Sequence, residues 1–420
     1  MSVLGKISGK PFGAIPAGYA AHAGELAIGG QAVSALIAQA GDTPLFIYDM
    51  GSVRARIAAL RAALPAEVAL HYALKANPYA PLVRAIIPLV DGIDVASGGE
   101  MGLALAQGAD AVHVSFAGPG KRDRELVAAI RAGVTLNLES EGEAHRALAI
   151  AATLGIVPKL AVRVNPDFDL RGSGMKMGGG AKPFGVDAER VPALVETLVN
   201  GGADWRGFHI YAGSQALDAE AVVDAQTQTI ALAARLAEQI GHTPAHVNLG
   251  GGFGIPYFAN EVPLDLERVG EGLGDALANR SAILDDTQFC IELGRYLVGE
   301  AGVYLTRVID RKESHGETFL ITDGGLHHQL AASGNFGTVV RRNYPVAVAN
   351  RLNAPPEEIV SVVGCLCTPL DRLADQVMLP HAEVGDVIAI FMAGAYGASA
   401  SPAAFLGHPA PYEMLVKDEL

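Results

Sequence analysis

From about residue 45 the chain alternates short apolar runs with longer Ala- and Leu-rich stretches of helical period. The apolar runs LHYALKAN, DGIDVAS, AVHVSFAG, TLNLES, KLAVRVNP, RGFHIYAGS, AHVNLGGGFG and QFCIELGR begin at Leu70, Asp91, Ala111, Thr135, Lys159, Arg206, Ala245 and Gln288. Between them lie helical stretches such as RDRELVAAIRAG and EGEAHRALAIAATLG, several closing on the glycine that favours a helix end. Alternating strands and helices predict a parallel sheet, and eight repeats predict a closed (β/α)8 barrel of the TIM type. After about Tyr296 the pattern becomes strand-like with little helix, in VYLTRVIDRKES, ETFLITDGG, EEIVSVVGCLC, QVMLP, DVIAIFMAG and YEMLV. The fold class is therefore α/β: a barrel over 41–296 and a C-terminal all-β domain, sandwich- or barrel-like, over 297–420. Residues 1–40 form an extension whose strand candidate GELAIGGQAV is expected to join the β-domain.

Composition narrows the function. Half the residues are hydrophobic, and the formal charge of −14 argues against a nucleic-acid or acidic-membrane partner. The N-terminal stretch has no apolar core of a signal peptide, so a cytoplasmic location is expected. Val387 to Tyr412 carries no Asp, Glu, Lys or Arg, but its Gly, Pro and Ser residues predict a buried strand plus loop rather than a membrane span. Glycine, at 50 residues, is in excess over its usual share of about 7%. Three cysteines exclude a disulfide framework, and the Cys365-x-Cys367 spacing is poor for zinc, so no metal is expected. His327 and His328 are adjacent, and on a strand they would face opposite ways.

The chemistry-bearing residues fall at strand ends, which converge on the active-site face of a barrel. Lys75 ends HYALK and is either a solvated strand-end lysine or an amine poised for Schiff-base formation. Gly250, Gly251 and Gly252 form either a plain turn or a nest of backbone N–H groups for phosphate. The run does not match a dinucleotide fingerprint. Glu292 either pairs with Arg295 in IELGRYL or holds a protonated ring nitrogen. Lysine, phosphate nest and ring-nitrogen acid together describe a site for pyridoxal 5'-phosphate.

On these motifs the sequence resembles the barrel-fold pyridoxal phosphate decarboxylases, the group of the diaminopimelate, ornithine and arginine enzymes related to alanine racemase. The resemblance covers roughly residues 40–415. It implies Lys75 in YALKAN as the Schiff-base lysine, Asp94 in GIDVASGGE beside the cofactor, and Ser214 in GFHIYAGSQ near the phosphate. Arg163, His209, Tyr211, the three glycines, Glu292, Arg295 and Tyr396 in GAYG complete the cofactor site it implies. Cys367 in GCLCTPLD is the implied second catalytic residue, reaching the partner's site in a head-to-tail homodimer with composite active sites. Arg295, Tyr344, Thr368, Asp371 and Tyr396 are the implied substrate contacts.

A carboxylate at Glu292, where the racemase has arginine, favours decarboxylation through a quinonoid over racemisation. Two departures narrow the substrate. Thr368-Pro369 stands where diaminopimelate decarboxylases carry Glu-Ser, and ITDGGLHHQLAASGNF lacks their arginine for the distal carboxylate, although Arg341 and Arg342 follow. The combination MKMGG, DGGLHH, LCTPLD and FLGHP is similar to decarboxylases of glutamyl groups on an acyl-carrier protein and to those accompanying exosortase gene sets. The reading is a decarboxylase of an amino acid or carrier-tethered aminoacyl group. Its alternatives are a diaminopimelate decarboxylase of lysine biosynthesis and a non-catalytic pyridoxal phosphate-binding relative.

Overall fold

In the computed structural model, which describes residues 9–172, 174–176, 178–335 and 341–417, eight strands hydrogen-bond side by side into a closed ring. They are β1 (Val68–Ala73), β2 (Gly92–Val95), β3 (Val114–Phe116), β4 (Thr135–Leu138), β5 (Lys159–Asn165), β6 (Asp204–Ile210), β7 (His246–Asn248) and β8 (Gln288–Leu293). Every neighbouring pair is parallel, and β4 pairing with β5 and β8 with β1 closes the barrel. The strands are mostly buried because helices cover them outside and side chains fill them inside.

Local chemistry sets the helix ends. Ser97, Ser140, Asp218 and Asp265 accept backbone N–H groups at helix N-termini. Gly133, Gly155 and Gly241 close three helices in the left-handed conformation.

The chain divides into two units: Arg56–Ile255 with Pro263–Tyr296 (the barrel), and Met1–Ala55, Pro256–Val262 and Leu297–Leu420. The second unit is built on β9 (Gly302–Ser314), β10 (Glu317–Thr322), β11 (Val346–Val348), β12 (Glu358–Val363), β13 (Arg372–Leu379), β14 (Val387–Ile390) and β15 (Tyr412–Val416). The order in its sheet is β11-β14-β9-β10-β12-β13. One end of β9 pairs with β14 and with the strand Leu45–Asp49, the other with β10.

One expected boundary is corrected. Leu45–Asp49 lies inside the span expected for the barrel, yet it pairs with β9 and β15 of the β-unit. Its five consecutive buried residues suit a sheet interior, which periodicity alone cannot assign to one core or another. The N-terminal strand candidate lies in the β-unit, but in a small sheet apart from the main one. Ala20–His22, Glu25–Ile28 and Gln31–Ala32 form a three-stranded sheet of their own. The uncharged stretch from Val387 is β14 followed by loops, and no helix among the described residues is long and apolar enough to cross a membrane.

Candidate active site in the barrel

The C-terminal strand ends of the barrel carry a cluster of buried charge. Glu292 near the end of β8 receives hydrogen bonds at Oε2 from His209 Nε2 on β6 (2.8 Å) and Asn248 Nδ2 on β7 (3.3 Å). Burial alone would raise the Glu292 pKa, but His209, then Lys75 and Arg163, hold it down to about 2. The group is therefore an anion throughout the neutral range.

This depressed pKa has a stability consequence. An unfolded glutamate titrates near about 4.3. The stabilisation from Glu292 is thus complete above that value and is lost as pH falls toward about 2. Urea midpoints measured between pH 5 and 3 are expected to fall more steeply for the wild type than for Glu292→Gln. Parallel curves would refute the assignment.

His71 on β1 bonds Asp94 Oδ2 on β2 through Nδ1 at 3.0 Å. Burial opposes a charge on His71, but Cys290 and Asp94 outweigh it and hold its pKa well above the usual value. Arg163 on β5 pairs with Glu139 at 2.9 Å, and Glu139 also accepts the N–H groups of Gly118 and Gly185. Behind it, Lys121 and Glu143 form a fully buried ion pair at 2.8 Å.

Lys75 lies two residues past β1, exposed, in a single helical turn. That turn is anchored by the buried Asn77, whose carbonyl accepts the Tyr72 hydroxyl proton and whose Oδ1 accepts the Tyr79 N–H. Lys75 Nζ stands 5.4 Å from the centroid of the Tyr211 ring. Arg295 opens the short helix Arg295–Val298 just after β8.

The loop after β7 is bare because its neighbours leave no room. A Cβ on Gly251 would lie 2.0 Å from the Glu292 carbonyl oxygen, and one on Gly252 would lie 2.6 Å from that of Gly213. Gly250 and Gly252 also have positive φ, at 73° and 85°. The Gly250 N–H is already donated to Asn248 Oδ1 at 2.8 Å, so the expected nest has one donor fewer than the sequence implies. Gly251→Ala is expected to cost about 3 kcal/mol or more, since the colliding atom is backbone. A lowered thermal midpoint checks this, and an unchanged one would show that the loop yields.

The geometry fits pyridoxal phosphate. Two buried polar atoms, Ser214 Oγ and His209 Nδ1, have no hydrogen-bond partner among the described residues. An orphaned hydroxyl beside a glycine loop suits a phosphate. A carboxylate with about four lone-pair sites can hold a protonated ring nitrogen besides its present partners. The Lys75 amine is exposed just past the end of β1.

The β-unit carries the remaining predicted residues. Cys367 is exposed and Thr368 is half-buried on the loop after β12. Tyr396 has φ of +54°, a strained conformation for a bulky residue and one that concentrates at functional sites. Two predicted substrate contacts are otherwise engaged. Asp371 is buried and accepts the N–H groups of Leu326 (2.6 Å) and Leu366 (2.8 Å). Tyr344 is buried, its ring 4.8 Å from that of Tyr257.

Sequence reasoning missed His71, Glu139, Asn248 and the Lys121–Glu143 pair. Glu139 directly follows β4, so the strand-end argument that selected Lys75 would have found it. Lys121, in the GPGKRDR loop, reads as surface charge, and only its burial shows otherwise.

The chain belongs to the pyridoxal-dependent decarboxylase family: residues 50–299 match the model of that family's pyridoxal-binding domain. It is a pyridoxal phosphate-dependent carboxy-lyase. It is 35% identical to the L-glutamyl-[BtrI acyl-carrier protein] decarboxylase of Niallia circulans, over 90% of this chain and 89% of that protein. It is 33% identical to the diaminopimelate decarboxylase of Archaeoglobus fulgidus, over 94% and 93% respectively. The crystal structure of M. jannaschii diaminopimelate decarboxylase in complex with L-lysine shares the fold, with a TM-score of 0.87, 24% identity, and coverage of 96% of this chain and 93% of that one.

Proposed function

We propose that this enzyme decarboxylates an aminoacyl group whose distal end is not a free zwitterion, as on an acyl-carrier protein. The observation that carries this is the loop after Cys367. Thr368-Pro369 offers no charge, and Asp371 is committed to two backbone N–H groups. Of the two arginines that could replace the missing one, Arg342 pairs with Glu261 at 3.0 Å and lies over the Phe258 ring, while Arg341 donates to the Leu370 carbonyl. Free diaminopimelate would leave its far charges poorly matched. Similarity to a decarboxylase of a carrier-bound glutamyl group supports the reading, and similarity to diaminopimelate decarboxylases supports the free amino acid as the second.

Bound pyridoxal phosphate supplies an electron sink for the carbanion left at Cα when carbon dioxide departs. In our reading Lys75 would bind the cofactor through its amine, and Ser214 and the Gly250–Gly252 loop would hold its phosphate. Glu292, oriented by His209 and Asn248, keeps a proton on the ring nitrogen. Tyr211 would face the cofactor ring, Arg295 and Tyr396 would bind phosphate or the substrate carboxylate, and Asp94 and Arg163 would position these groups. Cys367 Sγ returns a proton to Cα in the active site of a second copy of the chain, so the working unit is a homodimer.

Carbon dioxide release separates the substrates. Aminoacylated carrier protein is expected to turn over at least about 10²-fold more efficiently (kcat/KM) than free diaminopimelate, the scale of a site whose polar groups go unpaired. Efficient turnover of free diaminopimelate with none of the tethered substrate would overturn the proposal.

A further inference from the structure

Outside the barrel, three loops of the β-unit bring nitrogen and sulfur ligands to one point. His327 follows β10, Cys365 follows β12, and His408 lies between β14 and β15. One ligand atom of each lies within 4.8 Å of the other two. Cys365 Sγ is 3.7 Å from His408 Nδ1 and 3.9 Å from Nε2. A tetrahedral zinc ion with its usual bond lengths separates a sulfur and a nitrogen ligand by roughly 3.6 Å.

A second, independent observation points to a ligand. His327 is 0% exposed, and neither of its ring nitrogens has a hydrogen-bond partner among the described residues. A buried imidazole with both nitrogens unpartnered is rare in folded proteins. The adjacent His328 is used up differently. Its Nε2 donates to the Pro409 carbonyl at 2.9 Å and its Nδ1 accepts the Tyr304 hydroxyl at 3.1 Å. That arrangement fixes the chain next to His408, as a supporting partner of a metal ligand does.

We propose that His327, Cys365 and His408 form a binding site for one borderline-soft divalent ion of the zinc class. Two imidazoles and a thiolate suit zinc and are poor ligands for calcium or magnesium, which require oxygen. Binding converts the Cys365 thiol to a thiolate bonded to the metal, and the proton goes to solvent. With three protein ligands the fourth position is left to water. The ion would pin the loop that carries Cys367 two residues later.

The test uses tag-free holoenzyme, stripped with a chelator, loaded with zinc chloride and dialysed against metal-free buffer. Metal analysis is expected to find one zinc per chain in the wild type. Cys365→Ser and His408→Gln are expected to fall to background while keeping the wild-type circular dichroism. Loading with cobalt(II) should give the intense visible bands of a tetrahedral site, absent from Cys365→Ser. A wild type that retains no zinc overturns the proposal, as does either folded variant retaining one ion per chain. Should both variants misfold, cobalt bands in the wild type still decide it, since a thiolate ligand adds a charge-transfer band and its absence is contrary.

Discussion

Lys75→Ala is expected to lower carbon dioxide release by roughly 10³-fold or more, the scale on which loss of a covalent catalyst acts. The cause is local. The side chain stands exposed on a turn held by Tyr72 and Asn77, so its removal leaves the barrel intact. The substitution should also abolish the visible band of pyridoxal phosphate held on a lysine. Borohydride reduction of the wild type followed by peptide mass analysis should place the cofactor on the peptide containing Lys75. A band that survives the substitution, or a label on another lysine, would remove Lys75 from its assigned role. Melting curves of the two proteins, each stripped of cofactor, should coincide.

Glu292→Gln is expected to lower kcat by roughly 10²–10³-fold, comparable to removing one preorganised electrostatic partner of a transition state. The neutral amide is nearly isosteric, so the bonds from His209 and Asn248 can largely be kept, and binding of the cofactor should survive. Only the charge proposed to hold a proton on the ring nitrogen is lost. Single-turnover kinetics on the loaded enzyme distinguish this from a folding defect, because the slow step should be chemistry with the cofactor content unchanged. Unaltered kcat would mean that the buried anion serves stability alone.

The barrel was legible because its determinants are local. Eight apolar runs, each followed by a helix and several of those helices capped by Ser, Asp or Gly, repeat often enough that the ring closes without further information. Strand ends in such a barrel converge, so Lys75, the glycine run and Glu292 could be named from position, while Asp94 and Arg163 followed from the resemblance. The strand Leu45–Asp49 shows the limit. A short, uniformly buried run carries no mark of which sheet it joins.

Partnerships were not legible, since they depend on distances between residues far apart in the chain. The sequence offered Arg295 as an ion-pair partner for Glu292, three residues away; the fold supplied His209 and Asn248, 83 and 44 residues away. It offered the glycine run as a phosphate nest; the fold adds that Gly251 and Gly252 are bare because neighbouring carbonyl oxygens leave no space for a Cβ. Cys365 and Cys367 looked unsuited to a metal on spacing, yet chain folding sets Cys365 beside His327 and His408. Patterning along the chain determined the elements and the strand-end residues, and the resemblance of its motifs to a known family implied the reaction class. Tertiary structure alone decided which buried charges meet and which ligands converge, because burial and proximity are properties of packed elements and not of local order.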